Sequence, residues 1–187
     1  MTGHELISAA REYATVKHAG LLRLNKSQED YSVHFEEVAL LVEQSGGSAE
    51  EIAAGLLHDS VEDTNATIEE IRELFGPAVA ILVDGLTDPV EFKGMPTLER
   101  KTLQAERVRT KSTGIKRCKH ADGTSNMRSV AADPPTAWNR QKCVDYIEGA
   151  RRVARECTGI SAFLDAEFNK AHAAALANLD THYPIAS

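Results

Sequence analysis

Ala53-Ala54-Gly55-Leu56-Leu57-His58-Asp59-Ser60-Val61-Glu62-Asp63-Thr64 is the stretch on which the reading of this chain turns. Its first five residues are small or apolar, as in a helix buried all round, and they run straight into a His-Asp pair and a Glu-Asp pair. Ionisable groups that start inside a core need partners or a bound cation. On a helix His58 and Asp59 diverge by about 100°, yet both reach one ion seated at the helix end. His58 with Glu62, and Asp59 with Asp63, stand in i,i+4 relation, so each later carboxylate lies one turn beyond a candidate ligand, placed to orient or deprotonate a water. A His-Asp dipeptide alone also occurs as a polar helix terminus before a solvated turn such as Thr64-Asn65. Two distant residues shift the balance. His34 sits in a helical pattern with Val38 and Leu41 on its apolar face, and Asp122 sits in a later one. With His58 and Asp59 they make a four-ligand cage drawn from three helices.

Outward from this stretch, apolar residues recur at helical spacing almost everywhere and no convincing strand appears, so the fold class expected is all-α, a helical bundle in a single domain. Helices are expected over about Leu6–Ala19 and Ser32–Gln44, the latter closed by Gly46-Gly47. Ser48 and Glu51 form a capping box that opens the helix running through Leu57 and beyond, and Thr67 with Glu70 repeats the device. Pro77 opens the helix after Phe75, and Asp88 to Pro96 reads as a loop. Further helices are expected from about Leu98, over Gly114–Ala131 up to Asp133-Pro134-Pro135, and twice more between Thr136 and Leu179. One domain spans 1–187, with roughly 177–187 a C-terminal tail.

The chain has 187 residues, 42% hydrophobic and 26% charged, with a net charge of -7. That balance supports a real core and argues against tracking a nucleic-acid polymer by bulk charge. No apolar run approaches the roughly 20 residues of a membrane span, and no secretory signal is visible at the N-terminus. Cys118, Cys143 and Cys157 lack Cys-x-x-Cys spacing, which fits reduced thiols in the cytoplasm.

The order of these motifs resembles the HD-domain metal-dependent phosphohydrolases, in particular the RelA/SpoT-type hydrolase module and the stand-alone small alarmone hydrolases. The residues that carry the resemblance are Ala14 to His18, Tyr31 to His34, Leu56 to Thr64, Ile68 to Asp88, Glu99 to Lys111, Lys119 to Asp122, Asn126 to Arg128 and Trp138 to Tyr146. It implies an HD-domain helical bundle with metal ligands at His34, His58, Asp59 and Asp122. The ion implied is Mn2+, with Fe2+ or Zn2+ also compatible with this mixed imidazole and carboxylate set. Glu62 and Asp63 match the acid pair that activates the attacking water. Arg23, Tyr31, Asn126 and Ser129 match substrate-contacting positions, the last two on one face with Asp122. The reaction implied is hydrolysis of guanosine 3′,5′-bis(diphosphate), or the pentaphosphate, to GDP or GTP and pyrophosphate. The partner is thus a small guanine nucleotide, with no membrane and no nucleic-acid polymer. A homo-oligomer stays open.

Three departures bear on the substrate. Leu24 stands where the family has a second basic residue, Gln28-Glu29-Asp30 replaces Gly-x-Pro before Tyr31, and Gly123 follows the candidate ligand Asp122 in place of a cation. Lys26, Lys119, Arg128 or Arg140 would have to compensate. The alternatives are an HD-type phosphohydrolase of a different nucleotide, a nucleoside monophosphate or a 2′- or 3′-phosphorylated dinucleotide, and a catalytically retired nucleotide-binding protein. His18, Trp138, Arg140 and Tyr146 are expected in structural roles, and His120, at i−2 from Asp122 and so facing away from it, behind the ligands or at the surface.

Overall fold

The computed structural model describes residues 1–184 as ten α-helices with no strand among them. In chain order these are α1 (Gly3–Lys17), α2 (Ser32–Gln44), α3 (Ala49–Leu57), α4 (Ser60–Asp63), α5 (Ile68–Phe75) and α6 (Pro77–Leu86). Then follow α7 (Thr97–Arg109), α8 (Thr113–Ala132), α9 (Arg140–Cys157) and α10 (Ala162–His182). Their ends are written in side-chain chemistry. Thr2 with Glu5, and Ser48 with Glu51, close complete capping boxes, while Ser112, Asn139 and Ser161 cap α8, α9 and α10 by accepting an N–H of the first turn. Such a cap stabilises a helix by about 1 kcal/mol. At the end of α2 the chain turns through Gly46 at φ 79°, and the Gly47 N–H reaches back to the Val42 carbonyl at 2.9 Å, a geometry that favours glycine.

The Thr67 device is only half present. The Thr67 hydroxyl accepts the Glu70 N–H at 3.1 Å, but the Glu70 carboxylate turns away to α1, where the Lys17 ammonium donates to it at 3.2 Å. The helix begun at Ser48 also does not continue smoothly. It breaks at His58 and Asp59, and α4 is a single turn beyond the break. The expected loop from Asp88 to Pro96 carries one 3-10 turn, Val90–Phe92. The expected tail from about residue 177 is helical through His182, with Leu179 buried. Residues 185–187 of that stretch lie outside the described residues.

Two apolar clusters meet along α8. The first gathers Phe35, Val38, Leu56, Leu57, Ile71 and Val83 from α2, α3, α5 and α6 with Cys118 and Ala121 of α8. The second joins Met127 and Val130 of α8 to Ile147 of α9 and Phe168 of α10. Asp122 falls on α8 between the two. Leu56 and Leu57 are fully buried, each stabilising the fold by about 1.5–3 kcal/mol, and they pin the C-terminal end of α3 where His58 emerges. A smaller group, Ala105 and Val108 with Val153 and Cys157, lays α7 along α9.

Candidate metal centre and nucleotide cavity

His34 from α2, His58 and Asp59 from the α3–α4 break, and Asp122 from α8 converge beneath one cavity, the two carboxylates lining it and the two imidazoles buried behind them. The Nε2 atoms of His34 and His58 lie 3.2 Å apart. Asp59 Oδ2 is 3.5 and 3.0 Å from them, and Asp122 Oδ1 is 3.5 and 3.7 Å away. One donor atom from each of His34, His58 and Asp59 falls within 4.8 Å of the others. Asp122 meets both imidazoles but stands outside that tight trio.

The hydrogen bonds behind the ligand atoms decide what the centre accepts. His58 Nδ1 lies 2.8 Å from the Gly55 carbonyl, which only accepts, so this nitrogen carries the proton. His34 Nδ1 lies 2.9 Å from the Ser125 hydroxyl, whose own hydrogen goes to Glu37 Oε2 at 2.6 Å. With both Nδ1 atoms donating, the two Nε2 atoms face each other across one position that a proton or a metal cation can take, flanked by two carboxylates. Such an arrangement calls for a cation, and the mixed nitrogen and oxygen donors suit a divalent transition ion. The field says the same. Burial opposes charge on His58, yet Asp59 and Asp122 outweigh it and lift its pKa to about 9. Burial likewise opposes charge on Asp59 and Asp122, yet the imidazoles hold Asp59 well below the usual carboxylate range and the Lys119 ammonium does the same for Asp122. Lys119 Nζ sits 3.0 Å from Asp122 Oδ2, and Asn126 Nδ2 donates to Asp122 Oδ1 at 2.5 Å.

Above the floor opens a cavity of about 470 Å³, within the range of small-molecule sites. Arg23, Tyr31, Glu62, Asp63, Asn126 and Ser129 all line it. Burial pushes the Glu62 carboxyl up to about 7, against the Asp88 N–H that Oε1 accepts at 2.8 Å, with Asp59 adding to the rise. Burial also raises Asp63. The Tyr31 hydroxyl lies 2.8 Å from Asp59 Oδ2 and 2.7 Å from Asp63 Oδ2. One phenolic hydrogen serves only one of them, and burial with these two carboxylates raises the Tyr31 pKa, so it stays a phenol. Arg23 Nη2 donates to Asn126 Oδ1 at 2.8 Å and the guanidinium stands over the Tyr31 ring.

Several wall residues depart from the expectation. Trp138 and Tyr146 pack among the C-terminal helices as expected, and they also line the cavity, with ring centroids 5.0 Å apart. Of the expected compensating cations, Lys119 faces the cavity, whereas Arg128 is spent on Glu37 and Glu167 and Arg140 on Asp180. Arg100 and Lys101 supply cations that sequence reasoning missed. Lys101 is 9% exposed, on the same buried stripe of α7 as Gln104, Ala105 and Val108. A lysine on an apolar stripe was the signal available. His18 is buried and stacked on Tyr31, rings 5.0 Å apart and 10° from parallel. His120 turns away from the centre toward Phe168 and Asp165.

A helical bundle with an ordered His, His-Asp and Asp centre defines the class: the chain belongs to the HD-domain family, whose model matches residues 10–167. Among its relatives is the guanosine-3′,5′-bis(diphosphate) 3′-pyrophosphohydrolase MESH1 of Xenopus tropicalis, 34% identical over 166 residues that cover 88% of this chain and 91% of that one. The protein of the same description from Homo sapiens is 34% identical over 86% of this chain and 89% of its own. A solved structure described as a metazoan ortholog of SpoT that hydrolyzes ppGpp superposes with a TM-score of 0.81 at 30% identity, covering 89% of this chain and 93% of that one. Among the described residues, no helix is long and apolar enough to cross a membrane.

Proposed function

We propose that this chain is a single-domain, metal-dependent hydrolase of guanosine 3′,5′-bis(diphosphate), releasing pyrophosphate from the ribose 3′ oxygen and leaving GDP. The observation that carries the reading is the pair of Nε2 atoms 3.2 Å apart beneath a cavity with Glu62 and Asp63 on its wall. His34, His58, Asp59 and Asp122 would hold the ion. Manganese is favoured over iron or zinc by the family resemblance. Bound there, a divalent ion would supply Lewis acidity toward the attacking water and the phosphoryl group.

The remaining work falls to side chains. Glu62 keeps one oxygen on the Asp88 N–H and offers the other to the cavity, where a carboxyl near 7 suits a general base. It takes the proton of the attacking water as oxygen adds to the phosphorus bonded to O3′. The P–O3′ bond breaks, and the proton taken by Glu62 passes by way of Asp63, bonded to Tyr31, to O3′. Arg23 and Asn126 bind as a linked pair, Ser129 adds a hydroxyl, and Arg100, Lys101 and Lys119 meet the phosphates. Tyr146 and Trp138 offer flat apolar faces to the base. The three free, buried cysteines suit a reducing cytoplasm.

The exposed rim favours one second reading. Leu24 is 81% exposed at the cavity mouth, a poor place for an extra anionic group, so a nucleotide with fewer phosphates competes for the assignment. Pyrophosphate release from guanosine tetraphosphate by the purified chain, with and without manganese after chelation, tests both. Metal-dependent release with GDP as co-product supports the first; absence of release alongside phosphate loss from a nucleoside monophosphate or phosphorylated dinucleotide supports the second.

A further inference from the structure

Glu62 is held from outside the helix that carries it. Its Oε1 accepts the N–H of Asp88, a residue 26 positions later in the loop after α6. The start of that loop is tied down in turn from α7. Gln104 Nε2 donates to Asp88 Oδ2 at 2.5 Å, and Arg107 Nη1 donates to the Thr87 carbonyl at 2.7 Å. Gln104 is only 7% exposed and lies on the buried stripe of α7, where a leucine would pack more cheaply. Its Oε1 has no partner among the described residues, so its burial is not explained by a satisfied amide on both sides. What the side chain does achieve is the bond to Asp88.

We propose that Gln104 is a positioning residue for the hydrolysis: through the Asp88 carboxylate it fixes the loop whose N–H aims Glu62 at the attacking water. The chain of contacts runs Gln104 to Asp88 to Glu62, with Arg107 clamping the preceding carbonyl. Lys101 lies one helical turn before Gln104 and faces the cavity, so the helix that meets substrate phosphate also sets the base. The inference rests on the role of Glu62 given above.

Gln104→Met keeps length and packing but loses the donor; Gln104→Glu keeps shape but sets a carboxylate against Asp88; Asp88→Asn keeps an acceptor for Gln104. Amide exchange at Asp88, followed by NMR, is expected to speed up about tenfold or more in the two Gln104 variants and to stay unchanged in Asp88→Asn. With guanosine tetraphosphate, kcat of Gln104→Met falls roughly ten- to a hundredfold while KM stays within about twofold, as expected for a misplaced catalytic group. Asp88→Ala shows the same loss, and the double variant Asp88→Ala, Gln104→Met falls no further than either single one. Unchanged exchange in Gln104→Met overturns the proposal, as does faster exchange with unchanged kcat, or a rise in KM alone. Exchange needs no turnover, so a wild type that releases no pyrophosphate counts against the substrate reading, while the Asp88 amide still reports on the Gln104 tether.

Discussion

The floor and the rim of the cavity are built on opposite principles. At the floor, His34 and His58 are 2% and 3% exposed, and each holds its ring by a second bond, to Ser125 and to Gly55. At the rim, Leu22 and Leu24 are 50% and 81% exposed on a loop pinned by two isolated bridges, Leu22 with Asp30 and Asn25 with Pro135. Gln28 there adopts φ 52°, a conformation glycine accepts more readily. Helices fix the ligating side chains below, and above them an exposed loop, tied by Ser27 to Asp133 and by Asn25 to Glu29, frames the cavity mouth. Substitutions in the two regions should therefore act on different kinetic quantities.

The largest effect belongs to the floor. His58→Ala or Asp59→Ala is expected to lose bound metal and turnover together, by on the order of 10³-fold or more, read by metal content after gel filtration and by pyrophosphate release. Glu62→Gln comes next. It should retain the metal and lose about 10²- to 10⁴-fold in kcat; full turnover in this variant would remove Glu62 from the role of base.

Lys101 tests the wall between the two regions. Lys101→Met should lower kcat/KM about ten- to a hundredfold, the range of a charge-assisted hydrogen bond, with kcat less affected. Burial pulls the Lys101 ammonium down to about 8. It is charged below that pH and neutral above, so kcat/KM for an anionic nucleotide falls as pH rises through about 8. Lys101→Arg, charged throughout, should flatten that limb.

The rim should answer weakly. Leu24→Lys is expected to improve affinity for guanosine tetraphosphate by no more than about fivefold, the scale of an exposed ion pair, and the gain should fade with added salt. A rim change that abolished turnover would erase the distinction between floor and rim. Smallest is Gly123→Ala, in the middle of α8 beside the floor, where the added Cβ meets only Phe168 at 3.8 Å. It should raise stability by about 0.5–1 kcal/mol with unchanged kinetics, as read by denaturant unfolding.

The same division governs what could be read from the chain. The floor was legible because its residues sit on helices with their own local signals: the Ser48 capping box sets the start of α3, and the Leu56-Leu57 pair buries its end at His58. The wall was half legible. Lys119 was anticipated as a cation toward the substrate, but Arg128 pairs with Glu37 on α2 and Glu167 on α10, contacts between distant helices that no local spacing reveals. Lys101 and Tyr146 meet at the cavity where α7 packs on α9, the ammonium over the ring, and Trp138 joins them from the segment before α9. The Glu70 carboxylate shows the same limit in miniature: local rules assign it to its own cap, and Lys17 of a neighbouring helix takes it.

The central claim, attack of water on the phosphorus bonded to O3′ at the floor of this cavity, is tested most directly by running the reaction in ¹⁸O-water with manganese and weighing both products. One ¹⁸O in pyrophosphate, none in GDP, and no product after chelation are expected. Label in GDP, or inorganic phosphate in place of pyrophosphate, would contradict it.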